Sequence, residues 1–389
     1  MEGSNADEAD AVQNPNLRLA QELYEYETNQ SRPSSMPASI RNMIKEASMA
    51  PYYKMICSKF SWDFDEKFYN EMKVDNDRNL SEIEAKLNEA GERFGDMEVL
   101  DAMFEKAKLY SEIGDFRASI EEYDSIINRE KTGTTRKIDA WMSKSRIALF
   151  ELNMTSLKEY IAESKRLVDL GGDWDRRNRL KVYESLYLIA RRDIRAAAAL
   201  LLDCVATFSC TELCSYRTFI FYTIITNIMS LPRSKFEKKL VRNPQIISVM
   251  RELPDARDLL LSLYNCDYFK FFAKLGVNYV EINKDRYLGL HGNYIIREFR
   301  VLAYAQFLEA YRSVLLSSMA ASFGLTINVL DQELSRFISA GRLNAKIDKV
   351  GDKVENCRPD SKNAQYQDII KKGDVLLNSV QKLARLFDV

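Results

Sequence analysis

From Tyr366 onward, Ile369, Gly373, Leu376, Val380, Leu383 and Phe387 follow at steps of three, four, three, four, three and four residues. That is an a/d seam over three heptads, with Lys371, Lys372, Asp374, Gln381, Lys382 and Arg385 off it. A strict a/d stripe is narrower than the face a globular-core helix usually buries. The period therefore predicts a terminal helix that packs against helices of other chains. The alternative is a helix folded back on its own domain. Gly373 opposes both readings, because Gly weakens a helix interior by about 1 kcal/mol.

The rest of the chain reads as short, paired helices. Residues 1–16 are acidic and polar and read as disordered, with no basic or apolar leader pattern. A helix is expected over Leu17–Asn29, a Ser/Pro linker over Ser31–Pro37, and helices over Ile40–Ala47 and Tyr52–Phe60. A longer one is expected from Asn79, with Leu80, Ile83, Leu87, Ala90 and Phe94 on one face and Gly95-Asp96 ending it. From Val99 the pattern becomes helical hairpins. Gly114-Asp115 breaks one pair, and equivalent breaks recur at Met154 and Asp193, a 39-residue period that suits tetratricopeptide-like repeats. Such units cannot bury their apolar faces alone, so they stack into a solenoid. Pro232, Pro244 and Pro254 punctuate the helices that follow.

A different unit closes the chain. Helices over Ser317–Phe323 and Ile327–Ser339, a turn at Ala340-Gly341-Arg342, and a hairpin of Leu343–Asp348 with Lys353–Glu355 make a winged helix. The terminal helix starts after Pro359, with Asp360 or Ser361 as cap. The expected fold is an all-α solenoid, then a winged-helix module, then a bundle helix. The expected divisions are 1–38, 39–310, 311–358 and 359–389.

Catalytic chemistry has little to build on. The chain has one histidine, His291, in a loop-like Gly289–Gly292 stretch. Cys204, Cys210 and Cys214 supply three thiols and no evident fourth zinc ligand, so buried free cysteine is the expected state. No phosphate-cradling glycine motif and no nucleophile elbow is present. No catalytic, cofactor or metal residue is assigned. The six cysteines, without a secretory pattern, suggest reduced thiols in cytosol or nucleus. The apolar windows at 196–202 and 219–229 are too short to span a bilayer. The net charge of −1 draws the chain neither to nucleic acid nor to a membrane. Arg176 and Arg179 could contact RNA, but inter-repeat ion pairing is the favoured reading. The second winged-helix helix sets Asp331 and Glu333 against Arg336, and the wing mixes Lys349 and Lys353 with Asp348 and Asp352. That balance suits protein contact better than a phosphate backbone. The expected contact residues are Asn344, Lys346 and Val354 on the wing edge, and Ile369, Leu376, Val380, Leu383 and Phe387 on the terminal helix.

Several stretches also resemble a known family. They are Asn14–Arg18, Met49–Tyr53, Gly171–Tyr183, Asp331–Ile338, Gly341–Leu343, Lys346–Val350 and Arg358–Asn363. Helical repeats, winged helix and terminal helix together resemble PCI proteins, and these stretches resemble the non-ATPase regulatory subunit 6 family of the proteasome lid. The region from Pro15 to Met49 departs most from that pattern. The resemblance implies a non-catalytic scaffold, cytoplasmic and nuclear, whose partners are other PCI lid subunits, the lid deubiquitinase subunits and the proteasomal ATPase ring. A related PCI subunit of the cullin-deneddylating signalosome is the alternative. A translation-initiation scaffold touching RNA is a more distant one.

Overall fold

The computed structural model describes residues 15–28, 36–93, 95–129, 132–357 and 361–387. The acidic segment, Asn14, most of the Ser/Pro linker, Phe94 and the Arg358-Pro-Asp360 cap region lie outside the described residues. Contacts divide the chain into two compact units. The first is Met1–Tyr264 with Lys274–Ile295, and the second is Asn265–Ala273 with Ile296–Val389. The expected boundary at residue 310 falls within the second unit, and the described helix Leu17–Thr28 lies in the first.

The first unit opens with α1 (Leu17–Thr28), α2 (Ala38–Glu46), α3 (Ala50–Phe60) and α4 (Glu66–Arg93). Helix α1 buries Leu19, Ala20, Leu23 and Tyr26. Trp62 Nε1 donates to Tyr26 Oη at 3.1 Å. Gln21 Nε2 donates to the Lys284 carbonyl at 2.7 Å, and Gln21 Oε1 accepts from the Arg286 N–H at 3.0 Å. The helix expected from Asn79 begins at Glu66 instead, because Asp65 caps it by accepting from the Lys67 and Phe68 N–H groups. Its early buried positions are Phe68, Met72 and Asn76. The last is polar, and its amide donates to the Ser48 carbonyl at 2.8 Å.

Three hairpins follow: α5 (Asp96–Ile113) with α6 (Phe116–Asn128), α7 (Thr134–Glu151) with α8 (Met154–Gly171), and α9 (Trp174–Ala190) with α10 (Ile194–Cys204). From α4 to α11 (Tyr216–Ser230) each helix packs on the next. All three hairpins use the same break. A residue with positive φ (Gly114 at 87°, Leu152 at 58°, Arg192 at 71°) turns the chain. Then Asp115, Asn153 or Asp193 caps the next helix by accepting from the N–H three residues on. The middle cap is Asn153 rather than Met154, so the caps are 38 and 40 residues apart. At Gly114 a Cβ would also lie 2.6 Å from Tyr52 Cβ, so only glycine fits there. The unit continues through α12 (Arg233–Phe236), α13 (Pro244–Val249) and α14 (Pro254–Tyr264). The three prolines start helices, at the N-cap or first position where a missing N–H does no harm.

Helices α15 (Tyr268–Lys284) and α16 (Gly292–Ala310) give residues to both units. The second unit adds β1 (Ser313–Leu315), α17 (Leu316–Phe323), α18 (Ile327–Ser339), β2 (Ala345–Asp348), β3 (Lys353–Asn356) and α19 (Ser361–Phe387). Its core is aromatic. Phe323 sits with Tyr268, Phe272, Tyr304 and Phe307 around it, ring centroids 4.9–5.3 Å away. Gly324, at φ 67°, ends α17 against the Phe269 ring, which a Cβ would approach to 2.6 Å. The architecture is the expected one: helical repeats, a winged helix and a terminal helix.

Candidate protein-interaction surfaces

The wing is a three-stranded antiparallel sheet of order β1-β3-β2. The sequence reading missed β1, and the omission matters. Strand β3 pairs with β1 through Val354↔Val314 and with β2 through Val354↔Ile347, so it is the middle strand. The open edge expected at Lys353–Glu355 does not exist. Val354 is fully buried and belongs to the wing's own core, not to a free edge. The real edges are β1 and β2.

Register fixes which backbone groups of β2 are free. The Cys357 N–H donates to the Asn344 carbonyl at 2.9 Å. Bonding alternates along an antiparallel pair, so Lys346 and Asp348 also turn their backbone groups toward β3. Ala345 and Ile347 therefore present theirs to the open side. Asn344 and Lys346 keep exposed side chains, but their backbones are already paired within the sheet. On the outer face Lys346 stands opposite Glu355, and Asp348 opposite Lys353, so opposite charges reinforce the register.

The terminal helix is the second surface. Every described side chain from Gln365 to Arg385 is exposed. Ile369, Leu376, Val380 and Leu383 stand 53–66% exposed. The side chain of Phe387 lies outside the described ones. Ile370 and Leu377 are equally bare, at 56% and 58%. Together with Ala384 they add an e position to each heptad, which the a/d reading overlooked. The a, d and e positions span about 100° of the helix, wider than the seam of a two-stranded coil. Such an arc can be covered by more than one partner helix.

The other candidate features are occupied by structure. His291 Nε2 lies 2.8 Å from the Ala190 carbonyl, so that nitrogen carries the proton and donates. Cys204 and Cys210 are buried, and Cys210 Sγ donates to Glu212 Oε1 at 3.6 Å. Burial pushes the Cys204 thiol up to about 11 and that of Cys214 to about 12, far from a reactive thiolate. Among the described residues no three His, Cys, Asp or Glu groups are placed to hold a metal ion, and no helix is long and apolar enough to cross a membrane.

Three cations of the Arg176–Lys181 run are held in internal ion pairs. Arg176 reaches Asp139 and Asp173, Arg179 reaches Glu212 and Asp175, and Lys181 lies 3.7 Å from Asp203. Tyr183 Oη also donates to Glu212 Oε1 at 2.5 Å. On α18, Glu333 pairs with Arg300 and accepts from Tyr304 Oη at 2.7 Å, while Asp331 pairs with Lys349. Burial first, then that bond to Glu333, raises the Tyr304 hydroxyl well above its ordinary value. The acidic residues of this helix thus lock it to α16 and to the wing.

Comparison with known proteins agrees with this geometry. A family model described as 26S proteasome subunit RPN7 matches residues 65–239, a PCI domain model matches 277–355, and a 26S proteasome regulatory subunit RPN7/PSMD6 C-terminal helix model matches 365–387. The chain is 38% identical to the 26S proteasome non-ATPase regulatory subunit 6 homolog of Arabidopsis thaliana, over 98% of this chain and 99% of that one. It is 39% identical to 26S proteasome non-ATPase regulatory subunit 6 of Dictyostelium discoideum, over 90% and 92%. The match to COP9 signalosome complex subunit 1 of Arabidopsis thaliana is 25% and covers 38% of this chain and 33% of that one.

Proposed function

The chain belongs to the 26S proteasome non-ATPase regulatory subunit 6 (RPN7) family, and from that premise we propose that it is a non-catalytic scaffold of the proteasome regulatory-particle lid, supporting degradation of ubiquitinated proteins. The observation that carries the reading is α19, a helix of three heptads whose apolar arc no described residue covers. Burying each large apolar side chain is worth about 1.5–3 kcal/mol, so Ile369, Leu376, Val380 and Leu383 together favour a bundle strongly. Alone, such a helix is marginal in water.

In this reading the β1 and β2 edges meet winged helices of neighbouring PCI subunits by strand addition, because open edges are ready templates for it. The bundle of terminal helices gathers the lid, and the scaffold holds the lid deubiquitinase subunits over the ATPase ring. The subunit itself performs no hydrolysis, and it resides in cytoplasm and nucleus.

Affinity purification of the tagged full-length chain tests the assignment. Proteasomal ATPases among the co-purifying proteins support it. Signalosome subunits would point to the other PCI complex, and small ribosomal subunit proteins to translation initiation. Cleavage of a ubiquitin–fluorophore substrate by the purified chain, surviving further purification, would contradict the non-catalytic role.

A further inference from the structure

The middle of the α19 arc holds a gap. Gly373 occupies an a position, and a Cβ placed on it would meet nothing within 4 Å. No contact among the described residues therefore requires a glycine there, and glycine weakens a helix interior. The positions three and four residues to either side are Ile369, Ile370, Leu376 and Leu377, all large, aliphatic and 56–66% exposed. In a helix those four positions surround the central one on the same face. A missing side chain ringed by four branched ones is a notch. In coiled packing, a hole of that kind receives one large side chain of the facing helix.

We propose that Gly373 is a specificity-determining socket, into which a helix of another lid subunit inserts a single large apolar side chain. The occupant is a helix because the apolar positions keep a heptad period across the notch, with Tyr366 and Val380 continuing the same row. The occupying side chain is bulky because the notch lacks the volume its neighbours supply, and interiors pack without voids. The socket also fixes axial register, since a helix shifted by one turn would press its knob against Leu376 or Leu377. The inference rests on the bundle reading of α19 and adds a position-specific requirement to it.

The test compares full-length Gly373→Ala, Gly373→Leu and Leu376→Asp chains, each co-expressed with the other lid subunits and quantified by incorporation into lid on gel filtration. Circular dichroism of each chain alone checks folding. Both Gly373 variants should be at least as helical as the parent. Gly373→Leu should lose incorporation by about tenfold or more through overpacking, and Gly373→Ala by a smaller factor. If Gly373→Leu incorporates like the parent while Leu376→Asp does not, the socket is refuted and the bundle stands. If both incorporate like the parent, the bundle reading itself fails.

Discussion

Arg176 forks onto Asp139, its Nε 2.8 Å from Oδ1 and its Nη2 2.9 Å from Oδ2, and so ties the first helix of one repeat to the first helix of the next. The pair is partly exposed, so its worth is modest. Further along the same two helices, Arg146 and Arg179 converge on Glu212, which is almost wholly buried. Removing one partner of a buried pair strands the other charge.

Glu212→Ala should therefore destabilise the chain by about 3–5 kcal/mol, and Asp139→Ala by about 1 kcal/mol or less. Urea denaturation followed by circular dichroism measures both. Equal losses would mean that Glu212 is not the anchor its surroundings suggest.

Two glycines separate backbone strain from packing. Gly324 and Gly341 have nearly the same φ, 67° and 66°, but only Gly324 would drive a Cβ into a ring. Gly341→Ala should cost about 1 kcal/mol, from the left-handed backbone alone. Gly324→Ala should cost clearly more, by about 1–3 kcal/mol, because Phe269 has to move. Thermal melting of the two variants reads the difference directly.

Asp285 provides a pH signature. Its carboxylate accepts from Tyr222 Oη at 2.5 Å and from the Tyr287 and Leu288 N–H groups, yet burial raises its pKa above the ordinary 3.8. The folded state then holds the proton more tightly than the unfolded one. The contribution favours folding at low pH and is lost as pH rises from about 4 through the raised value. Asp285→Asn should gain in melting temperature relative to the parent between pH 4 and pH 7. A gap that stays constant across that range would contradict the assignment.

The edge of β2 yields a paired comparison. Ile347→Pro removes a backbone donor that faces away from the sheet, and Ile347→Ala removes only side-chain bulk. The two should melt alike as isolated chains, while the proline variant incorporates less well into lid. Lys346→Pro should instead damage the wing itself, since its N–H faces β3. Equal incorporation of the two Ile347 variants would remove the β2 edge from the interface.

Much of this was legible because the signals are local. Gly114-Asp115, Leu152-Asn153 and Arg192-Asp193 each end one helix and cap the next within a few residues, so their spacing alone revealed the hairpins. Long-range partners were not legible. Strand β1 has three residues, and its pairing with β3 joins positions about forty apart, so no alternation announced it. Missing it turned the middle strand into an apparent edge and Val354 into an apparent contact residue. The early half of α4 hid because Asn76 interrupts its apolar face, and only the distant Ser48 carbonyl explains that amide. Helix α1 read as detached because the partners of Gln21 lie more than 260 residues away. The α19 seam was plain because a heptad repeat needs no other chain to be seen, although its e positions were overlooked.

The central claim is that α19 belongs to the assembly and not to this chain's own core. Its most direct test is deletion of residues 364–389, followed by thermal melting of the isolated protein and by co-expression with the other lid subunits. The account predicts an otherwise intact helical protein with an unchanged melting temperature that no longer enters the lid. A truncated chain that enters the lid normally, or one that unfolds outright, would contradict it.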